Sequence, residues 1–345
     1  MKFKAAILVE QKKPLEIETI ELNEKLHYGQ VLVKLNYSGI CGSQLGEIDG
    51  VKGKDNYLPH LLGHEGSGVV VDVGPGVKKF KKDDDVILHW RPSDGIQSDP
   101  PKYSLNGNII NAGWVTTFNE YAVVSENRLT IDSFPRNKKV SSLFGCAVTT
   151  GFGAIENNAN PKIGQSIVIY GAGGVGLNMI QAAKIMKLFP IVAIDRFDNR
   201  LDLASQCGAT HVFNSTKYDN DLIKSSIKEY SIDFFIDNTG SPKVIEFGYS
   251  LINKNGKLVL VGVPSAGENI NIHSLPIHFG KKIVGSHGGE TLPHHDIPRL
   301  QKLCSENGSD FEALITEEYT LEDINKAIER MRSGEMSGRC AIFFK

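Results

Sequence analysis

The most constraining feature of the chain is a glycine-rich stretch near its middle, residues 167–195. Four apolar residues, 167–170, are typical of a strand that is buried on both faces. Gly171, Gly173 and Gly176 follow with the spacing G-x-G-x-x-G. Apolar residues then recur at helical spacing, and a second apolar strand ends at Asp195. A strand, a glycine loop, a helix, a strand and an acid in this order predict a βαβ unit that binds a dinucleotide.

Each glycine of this loop has its own physical reason. Gly171 allows the tight turn, Gly173 lets a pyrophosphate approach the backbone, and Gly176 lets the helix pack closely on the strand. The loop opens a helix whose first N–H groups face an anion. A glycine turn with no ligand is the alternative interpretation of the same spacing.

The acid at the end of the second strand predicts which dinucleotide binds. The Asp195 carboxylate is placed to hold both hydroxyls of an adenosine ribose. It would repel an added 2′-phosphate about 4 Å away by roughly 4 kcal/mol at an effective dielectric constant of about 20. NAD is therefore favoured over NADP. Arg196 could partly accept a phosphate; alternatively, it stacks on adenine or faces solvent.

Length and composition restrict the class of protein. A chain of 345 residues is long enough for two domains. A formal net charge of -2 gives no overall basic field, so no nucleic-acid partner is expected. No apolar run approaches the ~18 residues that span a bilayer, so no membrane partner is expected either. Five widely spaced cysteines, an odd number, favour the reducing cytoplasm over a disulfide-bonded compartment.

The pattern of elements changes along the chain. Residues 1–147 carry short runs of Val, Ile and Leu between Gly, Pro, Asn and Asp, which are typical of a β-rich domain. From residue 148 to 285 strands alternate with helices, which predicts a parallel doubly wound sheet. The candidate strands of this sheet are 167–170, 191–195, 210–213, 232–236, 257–261 and 282–285. The remainder, 286–345, ends in a strand that we expect to return to the first domain.

Three residues with metal-binding side chains lie far apart in the sequence. Cys41, His64 and Cys146 are joined by no short metal-binding spacing. An isolated cysteine is more often a small buried hydrophobic residue than a ligand. Spacing alone therefore predicts no metal site.

From residue 1 to 345 the chain resembles the zinc-dependent medium-chain alcohol dehydrogenase family. The resemblance is carried by Gly39-Ile40-Cys41-Gly42-Ser43, Gly63-His64-Glu65-Gly66, Gly145-Cys146 through Thr150-Gly151, and the glycine loop with Asp195. It implies an α/β fold in which a Rossmann doubly wound parallel sheet, residues 148–285, is inserted into a GroES-like β-rich catalytic domain, residues 1–147 plus 286–345.

The resemblance implies one catalytic Zn²⁺ held by Cys41, His64 and Cys146, with the fourth position open to water or substrate. Zinc lowers the pKa of a bound alcohol, whose carbon then passes a hydride to the nicotinamide. Ser43 is implied to accept the alcohol proton, and Glu65 to approach the metal when substrate is absent. Polyol dehydrogenases of the family often carry Glu-Pro in place of Gly-Cys at the third ligand, so Cys146 favours the alcohol dehydrogenase branch.

The resemblance also implies the residues that contact the cofactor. Thr150 and Val175 flank the nicotinamide. Arg339 matches a position that reaches either the cofactor phosphates or the surroundings of the metal; alternatively, it is a surface arginine. The complete implied set of cofactor-binding residues is Gly171, Gly173, Gly174, Val175, Gly176, Asp195, Arg196, Val261 and Arg339.

The chain departs from the family pattern in three places. Residues 87–113, where many members bind a structural zinc, contain no cysteine, so we expect no structural zinc and a segment held by packing, through Trp90 and Tyr103. Gln44 stands where an aspartate usually orients the ligand histidine; we expect it to accept the imidazole N–H without supplying charge. Gly46 stands where some members have a relay histidine, so the proton must leave by another route.

These observations together predict a zinc-dependent oxidoreductase that transfers a hydride between a small primary or secondary alcohol and NAD, giving an aldehyde or ketone. Family members form homodimers or homotetramers, and we expect one of these states. Two alternatives stay open at this point: a zinc-independent enone or quinone reductase of the same fold, and a non-catalytic nucleotide-binding protein.

Overall fold

The computed structural model describes residues 1–134, 137–306 and 311–345, without the side chains of residues 304 and 305. The chain forms two compact units. The first consists of residues 1–149, 292–333 and 339–345, and the second of residues 150–291 and 334–338. The predicted strand near the C-terminus belongs to the first unit.

The strands are named here in chain order. The first unit begins with β1 (Lys2–Leu8), β2 (Glu16–Glu21), β3 (Gln30–Gly39), β4 (His60–Leu61), β5 (Glu65–Val73), β6 (Asp85–His89), β7 (Tyr103–Leu105), β8 (Asn108–Ile110), β9 (Tyr121–Ser125) and β10 (Leu129–Ile131). The second unit holds β11 (Ile167–Tyr170), β12 (Ile191–Asp195), β13 (His211–Asn214), β14 (Phe234–Asp237), β15 (Lys257–Leu260) and β16 (Lys282–Gly285). The first unit ends with β17 (Ile315–Thr320) and β18 (Arg339–Phe343).

The α-helices follow the same numbering. They are α1 (Gly42–Ile48), α2 (Lys138–Ser142), α3 (Ala147–Gly153), α4 (Gly174–Ile185), α5 (Asp198–Cys207), α6 (Asn220–Ser226), α7 (Pro242–Leu251), α8 (Leu275–His278), α9 (Pro293–Glu306) and α10 (Ile324–Ser333). No helix in the described part of the chain combines the length and apolar character needed to cross a membrane.

The second unit is built on a six-stranded parallel sheet with the order β13-β12-β11-β14-β15-β16. Its strands carry buried apolar side chains, among them Val168, Val192, Phe235 and Leu258, because helices cover such a sheet. The strand order reverses between β11 and β14, which is where open α/β sheets bind ligands. The predicted doubly wound parallel sheet is confirmed.

The glycine loop lies at the carboxyl end of β11. Gly171 has a φ of 103°, a conformation that favours glycine, and it receives a 3.1 Å hydrogen bond from the Asn238 amide on its carbonyl oxygen. A Cβ on Gly176 would overlap that same carbonyl oxygen, so α4 can pack this closely only because residue 176 is glycine. These are the roles that the spacing predicts for the first and third glycines.

The first unit contains two β-sheets. A five-stranded sheet has the order β4-β1-β2-β7-β8. A seven-stranded sheet has the order β10-β6-β5-β3-β18-β17, and β9 also pairs with β3. Strand β18 runs antiparallel to β3, with Ala341 opposite Gly39, so the end of the chain completes a sheet begun by its first residues. Buried Val33, Leu35 and Val70 fill the core of this sheet.

The cysteine-free segment of residues 87–113 contains the short hairpin of β7 and β8. Tyr103 anchors this hairpin, as expected, because its ring packs edge-on against Phe3 at 5.7 Å and its hydroxyl accepts the Val123 N–H at 3.0 Å. Burial raises the pKa of the Tyr103 hydroxyl well above its ordinary value. Trp90 is only half-buried.

Candidate functional site

Three side chains of the first unit converge although they are distant in the sequence. The metal-binding atoms of Cys41, His64 and Cys146 all lie within 4.8 Å of one another. Cys41 immediately precedes α1, His64 immediately precedes β5, and Cys146 immediately precedes α3. Two sulfurs and one imidazole are a donor set typical of a catalytic zinc site, which keeps a fourth position open.

Glycines place two of these residues. Gly63, next to His64, has a φ of 91°, and a Cβ there would overlap the Thr117 hydroxyl. Gly145, next to Cys146, packs so closely that its Cβ would overlap the Leu88 carbonyl oxygen. The chain can therefore present the imidazole and the second sulfur at this point only with glycine before each of them.

The donor atoms fit a metal cation. The hydrogen bond from Cys146 holds the pKa of the Cys41 thiol well below its usual value; burial opposes this shift and the neighbouring His64 adds to it. A thiolate is the form of cysteine that binds metals. The Nε2 atom of His64 is buried, and no atom of the described residues forms a hydrogen bond with it. Zn²⁺ bound by this nitrogen and the two sulfurs would satisfy it.

Gln44 lies behind the imidazole and is almost fully buried, with 1% of its surface exposed. Its carbonyl oxygen accepts the backbone N–H of Cys41 at 2.9 Å. Its amide nitrogen lies 2.5 Å from Nδ1 of His64. We expected the Gln44 oxygen to face the imidazole, but the start of α1 already occupies that oxygen.

A buried ion pair lies next to the ligands. Glu65 follows His64 and is 0% exposed, and its carboxylate pairs with the Arg339 guanidinium, itself only 4% exposed. The same carboxylate accepts the Ala147 N–H at 3.1 Å. A Cβ on Gly39 would collide with the Glu65 carboxylate, so the strand beside the pair requires glycine. The interpretation of Arg339 as a surface arginine is therefore wrong.

The remaining residue predicted for catalysis in this unit is Ser43, in the first turn of α1. Its hydroxyl oxygen is buried and has no hydrogen-bond partner within the described residues. The ring of Trp90 lies near the ligand histidine, with 6.4 Å between the centroids of the Trp90 and His64 rings.

In the second unit, the predicted cofactor-binding glycines form the start of α4. Gly173 is the N-cap residue of this helix, and a Cβ added to it would meet no atom of the described residues within 4 Å, its two chain neighbours aside. Open space at that point is what a pyrophosphate close to the backbone requires. Gly174 and Val175 form the first turn of α4. This geometry suits an anion at the N-terminus of α4, and the binding role of the loop stays a prediction.

Asp195 ends β12 and is held beside this loop. Its carboxylate accepts the backbone N–H of Ala172 at 2.8 Å and of Phe197 at 3.1 Å. Arg200, which the sequence analysis did not single out, places its guanidinium 4.0 Å from the same carboxylate. Arg196 is exposed and lies over the Phe197 ring, 4.8 Å from its centroid. A cationic residue in the first turn of the helix that follows Asp195 is the sequence signal that could have indicated Arg200.

Two further predicted residues lie in the same unit. Thr150 is buried in α3, with 7% of its surface exposed. Val261 follows β15, and its N–H donates to the Asp237 carbonyl at 2.8 Å. Both roles remain predictions.

Comparisons with known proteins agree with this arrangement. Residues 27–132 match the alcohol dehydrogenase GroES-like domain, and residues 174–306 match the zinc-binding dehydrogenase family. An S-(hydroxymethyl)glutathione dehydrogenase of Escherichia coli O139:H28 is 30% identical over 97% of this chain and 98% of its own length.

The chain belongs to the zinc-type medium-chain alcohol dehydrogenase family.

Solved structures of the family show the same fold. An alcohol dehydrogenase zinc-binding domain protein from Burkholderia ambifaria superposes with a TM-score of 0.90 at 27% identity, covering 100% of this chain and 99% of that one. Benzyl alcohol dehydrogenase from Acinetobacter calcoaceticus superposes with a TM-score of 0.89 at 27% identity, covering 100% of both chains. The predicted family and the GroES-like and Rossmann fold class are thus confirmed. As a member of this alcohol dehydrogenase family, the chain is an oxidoreductase with a zinc-type Cys-His-Cys centre.

The buried ion pair generates a stability prediction. Arg339→Met should lower the free energy of unfolding by about 3–5 kcal/mol, because Glu65 would remain buried without its counter-charge. The double variant Glu65→Gln with Arg339→Met should recover a large part of this loss. Urea unfolding followed by circular dichroism measures both. A loss below about 1 kcal/mol in the single variant, the range of an exposed pair, would contradict the argument.

Proposed function

We propose that this protein is a zinc- and NAD-dependent dehydrogenase that transfers a hydride between a small primary or secondary alcohol and NAD, with an aldehyde or ketone as the product. The observation that carries the proposal is the meeting of three metal-binding side chains whose ligand atoms lie within 4.8 Å of one another. Within the described residues, the buried Nε2 atom of His64 has no hydrogen-bond partner.

Cys41, His64 and Cys146 are the proposed zinc ligands. When bound, zinc supplies a Lewis acid that polarises the alcohol oxygen and lowers the pKa of the alcohol. The Ser43 hydroxyl is the proposed acceptor of the alcohol proton, which is consistent with a buried oxygen that has no other partner among the described residues. Glu65, which pairs with Arg339, is the proposed neighbour that approaches the metal when substrate is absent.

The proposed dinucleotide site begins at the glycine loop. The open space at Gly173 suits a pyrophosphate, and the Asp195 carboxylate suits the hydroxyls of the adenosine ribose. Repulsion by this buried carboxylate supports NAD over NADP. Arg196 is proposed to contact the adenosine. Thr150, Val175 and Val261 are proposed to contact the nicotinamide half.

For Arg339 the ion pair with Glu65 supports one of the two predicted roles. The Arg339 guanidinium pairs with Glu65, the residue after the proposed ligand His64, and so lies in the surroundings of the proposed metal site. We propose that Arg339 acts there, by fixing Glu65, and that its contact with the cofactor is secondary.

We also propose that the protein is a cytoplasmic homo-oligomer, a dimer or a tetramer. Strand β16 lies at the edge of the six-stranded sheet, so its outer backbone groups can pair with another strand. The segment leading into it exposes apolar side chains: Leu275 at 52%, Ile277 at 42% and Phe279 at 72%. A second copy of the chain would cover such a surface. The cytoplasmic location rests on the few, widely spaced cysteines.

The zinc proposal is tested by Cys41→Ser. Purified wild-type protein should hold about one zinc per chain, and the variant should lose both the metal and at least about a thousandfold in turnover, because one of three ligands is missing. Atomic emission measures the zinc, and the absorbance of reduced nicotinamide measures turnover over a panel of alcohols. Cys207→Ala, at a buried cysteine of α5, is the control and should keep both. A zinc-free wild-type protein that reduces enones or quinones would instead establish the zinc-independent alternative.

The choice of dinucleotide is tested by Asp195→Asn. Removal of the charge should shift the ratio of NADPH to NADH affinity towards NADPH by at least about tenfold, which lies within the roughly 4 kcal/mol of repulsion expected. Fluorescence titration with each reduced dinucleotide measures the ratio. Asp202→Asn removes an exposed carboxylate of α5 and should leave the ratio unchanged. Wild-type preference for NADPH would refute the proposal.

The oligomer is tested by Phe279→Asp. The added charge on an exposed apolar surface should weaken self-association, and analytical ultracentrifugation should find a smaller species than for wild type. Val212→Asp, on the opposite edge strand β13, is the matched control and should keep the wild-type mass. A monomeric wild-type protein, or an equal effect of both variants, would refute the assignment of this edge.

A further inference from the structure

The side chain of Gln44 is fixed between two partners. Cys41 is the N-cap residue of α1 and Gln44 is the third residue of that helix. The side-chain oxygen of Gln44 accepts the Cys41 N–H at 2.9 Å, and the backbone N–H of Gln44 donates to the Cys41 carbonyl oxygen at 3.1 Å. The amide nitrogen of the side chain is left to face His64 Nδ1 at 2.5 Å. Burial of Gln44 to 1% exposure removes water as a substitute partner.

This contact favours one tautomer of His64. An amide –NH₂ group only donates hydrogen bonds, so it pairs with Nδ1 when Nδ1 accepts, and in a neutral imidazole that places the proton on Nε2. In that tautomer Nε2 has no lone pair available for a metal. Yet Nε2 is the imidazole nitrogen that lies buried without a hydrogen-bond partner among the described residues, and His64 offers one ring nitrogen to the group formed with the two cysteine sulfurs.

Metal binding requires the opposite tautomer. When Nε2 binds zinc, Nδ1 carries the proton and donates it. The side chain of Gln44 has one oxygen to accept hydrogen bonds. Two donors, the Cys41 N–H and the His64 Nδ1–H, then compete for that oxygen. Rotation of the Gln44 amide by half a turn lets its oxygen accept the His64 Nδ1–H. The same rotation turns the –NH₂ group towards the Cys41 N–H, and that N–H then loses its acceptor in a buried place. A carboxylate of the same length would accept both donors.

We propose that Gln44 is a positioning residue that holds His64 in the tautomer unable to bind metal, so that zinc binding must reverse the amide and break its bond to the Cys41 N–H. Zinc affinity is therefore lower than the three ligands alone would provide. This inference rests on the proposed zinc site at Cys41, His64 and Cys146.

The test measures zinc affinity rather than activity. Apoprotein of wild type, Gln44→Glu and Gln44→Met is titrated with zinc in competition with a chromophoric chelator, and circular dichroism checks that each apoprotein is folded. Gln44→Glu should bind zinc about 10- to 100-fold more tightly, because its carboxylate accepts both donors. Gln44→Met should bind at least as tightly as wild type, because methionine favours neither tautomer. Gln206→Glu, which adds the same charge at an exposed position of α5, should match wild type.

The outcomes separate this inference from the proposed function. Wild-type protein that binds no zinc overturns the proposed zinc site, and the inference with it. Wild-type protein that binds one zinc while Gln44→Met binds about tenfold more weakly shows that Gln44 supports the metal-bound imidazole, which overturns the inference alone. Failure of Gln44→Glu to bind more tightly than wild type, or an equal gain in Gln206→Glu, also overturns it.

Discussion

The register between β3 and β5 is the constraint on which the metal centre depends. Ser38 near the end of β3 lies opposite Gly66 near the start of β5, so the residues just beyond these strand ends, Cys41 and His64, emerge side by side. A slip of one residue would turn every side chain of one strand to the other face and separate the sulfur from the imidazole. Close packing of Gly145 on the next strand, at Leu88, then brings Cys146 to the same place.

The last strand of the chain supports the same centre. Because β18 pairs with β3, Arg339 at its start reaches Glu65, the residue after the ligand histidine. The Glu65 carboxylate and the Arg339 guanidinium stay near each other, because either charge buried without the other would strongly destabilise the folded protein. Gly39 leaves room for the pair. The ligands, the neighbouring ion pair and the start of α1 thus lie together within the first unit.

Sequence patterns predicted most of the second unit because its signals are local. The buried parallel strands are continuous apolar runs, as in β11, and glycine marks the start of the helix that follows, as Gly173 does for α4. The first unit was harder to predict. Helix α1 contains Gly42 and Gly46, which are poor helix formers, and it is held by its capping contacts with Gln44. The hairpin of β7 and β8 was missed because its strands have three residues each and no clear alternation.

The sequence by itself determined the glycine loop, its helix and the acid at residue 195, because these residues interact within one βαβ unit and their spacing follows from backbone geometry. The sequence motifs also carry the resemblance to the alcohol dehydrogenase family, and that resemblance predicted the three metal-binding residues. Only the tertiary structure decided that those residues meet, that Arg339 is buried against Glu65, and that the Gln44 oxygen faces Cys41 rather than His64. The physical reason is that residues distant in the sequence set the register of the strands and the hydrogen-bond acceptors available in a buried place. The spacing of residues along one stretch of sequence does not contain that information.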